Sequence, residues 1–337
     1  MTSPTTAPER RASRPQRLAT RIAALGLALA LGACNLAGAS APNATGAGSQ
    51  TLLVATTRAP AADPGKAPFF AAERGAGLAF AQATLAPPSE GVLATLSPFD
   101  ARWGVVGVGP VVSAEPAEAF ARAAVGRDVL LYVHGYRETF ETAASGAAEL
   151  AAGIGFRGAS GLFTWPSGGA TFDYGYDRES ALWSRDALEE LILTLARSGS
   201  GGRVHIVAHS MGSLLTLETL RFVRDSGGDA AMARIGAVVL ASPDVDIDLF
   251  AQGVERLGVD AQRITVISAQ NDRALALSRR LAGGVVRAGA ADRERLVGLG
   301  VRVADASEFG SGVLNHDLFL RDPDVRAVVA RAIERSR

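Results

Sequence analysis

Val207-Ala208-His209-Ser210-Met211-Gly212 is the stretch on which the fold of this chain turns. Before it, Val204 to Ala208 is an apolar run broken only by His205, the pattern of a short buried strand. After it, Leu214, Leu215, Leu217, Leu220 and Phe222 recur at helical spacing. Ser210 therefore falls on a sharp strand-to-helix turn, a nucleophile elbow, which lifts a hydroxyl clear of a sheet. Such a turn crowds the backbone and needs small residues two positions away on either side. Ala208 and Gly212 occupy those positions. The same turn aims the Met211 amide at the place where an oxyanion would develop.

The elbow lies within an alternation of strands and helices. Apolar runs at Val129–Val133, Gly161–Thr164, Val204–Ala208, Ile235–Ala241, Ile264–Ser268 and Val301–Ala304 read as strands buried on both faces. Helical patterns separate them at Thr139–Ala152, Asp177–Ala196, after Ser210, through Phe250 and Val254, and around Ala274–Leu281. A last helix is expected over Asp322–Glu334. Leu52–Thr57, Leu78–Leu85 and Trp103–Val112 form an antiparallel part at the start. The expected fold is α/β, a doubly wound, mostly parallel sheet with antiparallel N-terminal strands. Ligands of such sheets sit beyond the carboxyl ends of the strands.

Four histidines limit the choice of a base: His134, His205, His209 and His316. In the chain order serine, acid, histidine, the base follows the nucleophile, which leaves His316, in Leu314-Asn315-His316-Asp317 after the last strand. Asp272, just past Ile264–Ser268, is the preferred acid, holding the imidazole tautomer. Asp244 and Asp246 lie past the preceding strand, and Asp244 is the alternative acid. Any of these loop carboxylates can equally cap the helix that follows. Asp317 is adjacent to the histidine, with its side chain expected to point away. The glycine of His134-Gly135-Tyr136, at the end of Val129–Val133, lets the loop curl and offer the Tyr136 amide as a second oxyanion donor beside Met211. His134 reads as a structural hydrogen-bonding group, His205 as core, and His209 as packing beside the elbow. Trp165, Pro166, Tyr174 and Tyr176 fall in the loop after Gly161–Thr164. They either line a substrate pocket or cover the sheet's end.

Taken in order, His134-Gly135-Tyr136, Phe163-Thr164-Trp165-Pro166-Ser167, the elbow, Ala241-Ser242-Pro243-Asp244-Val245-Asp246, Asn271-Asp272-Arg273 and Leu314-Asn315-His316-Asp317 resemble the α/β-hydrolase superfamily. They look most like a bacterial esterase/lipase-like group long carried as a domain of unknown function. The resemblance covers about Leu52 to the C-terminus. Ala208 departs from the usual first glycine of G-x-S-x-G, a change the elbow tolerates. The resemblance implies an α/β-hydrolase fold and a Ser210–His316–Asp272 triad, without fixing a substrate.

The remaining sequence sets limits. With 337 residues, 48% hydrophobic and 20% charged, the chain can bury a large core. Its formal net charge is zero and its arginines are scattered, so no nucleic-acid partner is expected. No His, Cys or carboxylate cluster has metal-ligand spacing, and no Gly-rich loop follows a first strand. No cofactor or metal is therefore expected. Arg10, Arg11, Arg14, Arg17 and Arg21 precede an uncharged stretch, Ile22–Ala33, that ends in Leu31-Gly32-Ala33-Cys34. This is similar to a lipoprotein signal over residues 1–33, with Cys34, the only cysteine, as the lipidated residue. Residues 34–50, small and polar, read as a flexible tether, and residues 51–337 as one hydrolase domain. The expectation is a carboxylesterase-like serine hydrolase. It is held by its lipid anchor at the periplasmic face of the cell envelope, at the outer membrane by default, and acts on small-molecule or lipid-like esters. An acyltransferase using the same triad and a non-enzymatic envelope-binding protein are the alternatives.

Overall fold

The computed structural model describes residues 48–336 apart from 64, 89–101, 112, 170–172, 199–201, 282 and 310–315. The signal segment, Cys34 and the tether as far as residue 47 lie outside the described residues. Gln50, at the tether's expected end, is already the first residue of strand β1 (Gln50–Pro60).

Nine strands form one sheet in the order β3-β2-β1-β5-β4-β6-β7-β8-β9. The other strands are β2 (Phe70–Ala86), β3 (Gly104–Pro110), β4 (Val129–Val133), β5 (Ala159–Thr164), β6 (Val204–His209), β7 (Ile235–Ala241), β8 (Ile264–Ser268) and β9 (Arg302–Asp305). β1 with β2, and β2 with β3, pair antiparallel. From β1 through β5, β4, β6, β7 and β8 to β9 every pairing is parallel. This is the α/β architecture expected from the alternating pattern.

Period-2 alternation sends successive side chains of each central strand to opposite faces. Val129, Leu131 and Val133 of β4 enter one core with Ile206 and Ala208 of β6; Leu130 and Tyr132 enter the other with Val207. The first core is covered by α1 (Pro116–Ala123), α3 (Tyr174–Trp183), α4 (Arg185–Arg197), α5 (Met211–Met232) and α6 (Ile247–Leu257). The second is covered by α2 (Phe140–Gly153) and α10 (Pro323–Arg335), with Phe319 of the short helix α9 (Leu318–Arg321). Helix α7 (Arg273–Leu281) follows β8, and α8 (Arg293–Gly298) precedes β9. Local caps fit these boundaries. Thr139 and Thr142 form a reciprocal capping box at α2, and Asp322 caps α10 ahead of Pro323. No helix among the described residues is long and apolar enough to cross a membrane.

One expectation is corrected. The pattern over 177–196 predicts a single long helix, but the chain breaks at Ser184 into α3 and α4. The amphipathic period runs through the break, so hydrophobicity alone cannot mark it. The Ser184 hydroxyl bonds back to the Ser180 carbonyl at 2.8 Å and lies 2.8 Å from Thr57 Oγ1 on β1. A serine bonded back to the preceding turn bends a helix, and the link to β1 fixes where. Ser184→Ala is expected to lower stability by about 1–2 kcal/mol, read from the urea midpoint, because it leaves Thr57 buried without this partner.

The chain order around β4 creates the crevice. β4 runs on to β5 on one side while its neighbour β6 runs on to β7 on the other, so the connections from these two adjacent strands leave in opposite directions. Val133 pairs with Ala208, which brings the carboxyl ends of β4 and β6 level. Such a switch point is where doubly wound sheets bind ligands.

Candidate active site

Ser210 leaves β6 with φ 51° and ψ −118°, a left-handed conformation rare outside glycine. Backbone bonds hold it there. The Ser210 amide donates to the Ala241 carbonyl at 2.9 Å, and the Ser210 carbonyl accepts from Ser213 at 3.0 Å and Asp244 at 3.1 Å. The Ser213 hydroxyl donates to the Ala208 carbonyl, tying the helix start back to the strand. A Cβ at Gly212 would meet the His134 carbonyl oxygen at 2.3 Å and that of Val133 at 2.7 Å. A Cβ at Gly135 would meet His209 Nδ1 at 2.9 Å and Ser210 Cβ at 3.0 Å. The turn after β6 and the loop after β4 are thus in direct backbone contact, and glycine at both positions permits it. Met211 is the first residue of α5, where a helix leaves its amides without intrahelical acceptors.

His316 and Asp272 meet. His316 Nδ1 lies 2.7 Å from Asp272 Oδ2, with the carboxylate side chain fully buried and the imidazole 18% exposed. Asp272 Oδ1 accepts from the Leu275 amide at 3.0 Å. One carboxylate therefore caps α7 through one oxygen and bonds the histidine through the other. His316 also presents its carbonyl oxygen 3.1 Å from Nε2 of His209, the residue before Ser210. No hydrogen bond joins the Ser210 hydroxyl to His316 here. Such contacts are commonly long in unliganded sites and tighten with substrate.

The alternative acid is engaged elsewhere. Asp244 pairs with Arg287 at 3.1 Å, the two side chains 4% and 3% exposed, and accepts from Ser278 at 2.5 Å and Tyr174 at 3.0 Å. Asp246 accepts from the Asp248 and Leu249 amides, capping α6. Asp317 accepts from Arg321 in the next turn.

The aromatic candidates separate. Tyr174 stays at the site, its ring edge-on to Tyr136 at 5.5 Å. Burial, and then Asp244, push its phenol above the usual tyrosine range. Trp165 is fully buried, so it lines no open pocket, contrary to the pocket expectation. Its indole N–H donates to the His134 carbonyl at 3.0 Å and its ring stacks on His134 at 4.8 Å. Tyr176 turns toward β2, bonding the Ala72 carbonyl with Arg74 over its ring. It covers the antiparallel strands and leaves the site to Tyr174.

His134 braces the loop that carries Tyr136. Its Nε2 accepts from the Trp165 amide at 3.1 Å and its Nδ1 faces the Gly135 carbonyl at 2.9 Å. Burial, reinforced by Arg58, drives its pKa down to about 3. The ring is neutral. Arg58 and Asp177 complete the brace, and no sequence pattern marked either one. Arg58 is buried with its guanidinium on Thr164 and on the carbonyls of Ala71, Ser167 and Glu138. Burial pulls its pKa down to about 10. Asp177 accepts from the Ser167 hydroxyl and from the Gly168 and Arg137 amides. Arg137 is itself at φ 64°, so Asp177 secures a strained residue beside the Tyr136 amide. An Arg at a strand end and an Asp in a helix's first turn both look solvent-exposed in sequence.

Two outcomes follow from this geometry. Asp244→Asn is expected to cost about 3–5 kcal/mol, because the buried Arg287 loses its counter-charge; chemical denaturation beside Asp272→Asn measures it. An Asp244→Asn protein as stable as wild type would remove that ion pair from the account. His134 sets the second. Its folded pKa lies below the unfolded value, so the unfolded state binds more protons between about pH 6.5 and 3. Its contribution is complete above about pH 6.5 and is lost as pH falls toward 3. Unfolding free energy measured across that window should fall less steeply in His134→Asn than in wild type.

Residues 115–337 match the family described as an alpha/beta hydrolase of unknown function (DUF900). An uncharacterized protein of Nostoc sp. is 38% identical over 58 residues, a match spanning 17% of this chain and 15% of that protein. Among solved structures, the fold is similar to an uncharacterized Bacillus cereus protein, with TM-score 0.41 and 13% identity over 63% of this chain and 60% of that one. It is also similar to an esterase from Pyrobaculum calidifontis, with TM-score 0.38 and 15% identity over 85% of this chain and 84% of that one. The family match takes in β4 through α10, and with them every strand end that carries a candidate site residue. The chain belongs to the DUF900 family of alpha/beta hydrolases.

Proposed function

We propose that this protein is a serine hydrolase acting on carboxylic esters, with Ser210 as nucleophile, His316 as base and Asp272 as the orienting acid. The observation that carries the reading is the 2.7 Å bond between His316 and the fully buried Asp272, beside a serine in a strained turn. Asp272 holds the His316 Nδ1 proton, which leaves Nε2 as the basic nitrogen. As Ser210 Oγ attacks the ester carbonyl carbon, Nε2 takes the hydroxyl proton and the carbonyl oxygen becomes an oxyanion. The amides of Met211 and Tyr136 receive that charge, each donor contributing roughly 10²–10³ in rate. Collapse of the tetrahedral adduct breaks the bond to the alcohol oxygen, which leaves with the proton from Nε2. Water then attacks the acyl-serine by the same route, releasing the acid and restoring the hydroxyl.

The edge-on rings of Tyr136 and Tyr174 beside the loop suit an apolar acyl or alcohol group, so the substrates proposed are small or lipid-like esters. The arginine-rich start and the Leu-Gly-Ala-Cys34 sequence support an envelope location with a lipid anchor on Cys34.

A fluorophosphonate probe is expected to label the wild-type protein and to spare Ser210→Ala; labelling that persists in the variant overturns the assignment. On an ester panel of graded acyl length, Asp272→Asn should lose roughly 10³–10⁴ in kcat through the wrong tautomer.

A further inference from the structure

The triad leaves one buried titratable group at the site without a task. His209 ends β6, immediately before the nucleophile, and its ring is buried. Its Nε2 lies 3.1 Å from the His316 carbonyl oxygen. A carbonyl only accepts, so Nε2 carries the proton and Nδ1 is bare. Nδ1 is buried and has no hydrogen-bond partner among the described residues. It faces Gly135, where even a Cβ would come within 2.9 Å. Burial, and then His316, hold the pKa of His209 well below the usual histidine range, so the ring is neutral.

An unpartnered buried nitrogen is a cost, and an apolar ring would fill the same space without it. What the histidine adds over such a ring is one directed bond, and that bond ends on the main chain of His316. His316 is otherwise oriented by Asp272 at one ring nitrogen, a contact that leaves rotation about the bond. A second fixed point on its own backbone removes that freedom.

We infer that His209 is a positioning residue. Through Nε2–H it ties the main chain of the base to the nucleophile's turn, so that this contact, together with the Asp272 bond, sets the placement of His316 against Ser210. Its catalytic consequence rests on the serine-hydrolase reading above; the tie itself does not. The rival account is packing alone, since the His209 ring also lies 5.0 Å from Phe319 and 4.7 Å from the His316 ring.

Two variants separate these accounts. His209→Phe keeps an aromatic ring and removes the donor, whereas His209→Gln keeps a donor where Nε2 stands. Thermal unfolding confirms that each is folded. Proton NMR then follows the low-field imidazole proton between His316 and Asp272, in the wild-type and Ser210→Ala backgrounds. The tie predicts that this proton exchanges with water roughly tenfold faster or more in His209→Phe. It also predicts a kcat lower by roughly 10- to 100-fold with KM little changed, and recovery of both readouts in His209→Gln. Wild-type exchange and kcat in His209→Phe, or equal loss in both variants, overturns it. Activity surviving in Ser210→Ala would instead sink the hydrolase reading, while the exchange measurement in that background still decides the tie.

Discussion

The contact between the turn at Ser210 and the loop after β4 is the constraint on which the site depends. Two backbones meet there with no room for side chains, Gly212 against the carbonyls of Val133 and His134 and Gly135 against Ser210. A non-glycine residue at φ 51° carries roughly 1–3 kcal/mol of strain. The strain persists because the neighbouring strand end over-determines the turn, with Ala241 accepting from the Ser210 amide and Asp244 donating to its carbonyl. Ser242, directly after β7, and Arg137, in the loop after β4, are likewise left-handed. The chain leaving each of three adjacent strands, β4, β6 and β7, therefore carries a strained non-glycine residue.

Buried polar groups brace this crevice from both sides. On one side Arg58, Thr164, His134 and Trp165 join β1, β5 and the loop after β4. On the other, Asp244, Arg287, Ser278 and Tyr174 join the loop after β7, helix α7 and helix α3. Buried ion pairs add little net stability because desolvation offsets their attraction, but breaking one leaves a stranded charge. Their effect here is geometric. Asp244 secures the turn through its amide and α7 through its carboxylate, and α7 begins directly after Asp272. Asp272, which bonds His316, is thereby placed by Asp244, which does not.

Legibility in the sequence followed the range of the interaction. Strands buried on both faces, such as Val129–Val133 and Ile235–Ala241, read as apolar runs because their environment is uniform. The elbow was readable because small residues at fixed offsets are its steric requirement. Ser184 escaped notice because a hydroxyl bonded to β1, and not a change of period, ends α3. Arg58 and Arg287 escaped because their partners are distant in sequence, and Asp177 because an isolated charge carries no mark of burial. Trp165 and Tyr176 were identified as aromatics at the correct strand end, but a residue's place in a loop does not say which way its ring turns.

By itself, then, the sequence determined the parallel sheet, the position of Ser210 at the end of β6, and His316 as the one histidine following it. Periodicity and local sterics are properties of neighbouring residues. The tertiary structure set Asp272 against His316 and Asp244 against Arg287, turned Trp165 inward and left Tyr174 at the crevice, and set His209 against the main chain of His316. Those outcomes depend on which groups meet across the ends of separate strands, and the packing of the whole sheet determines that.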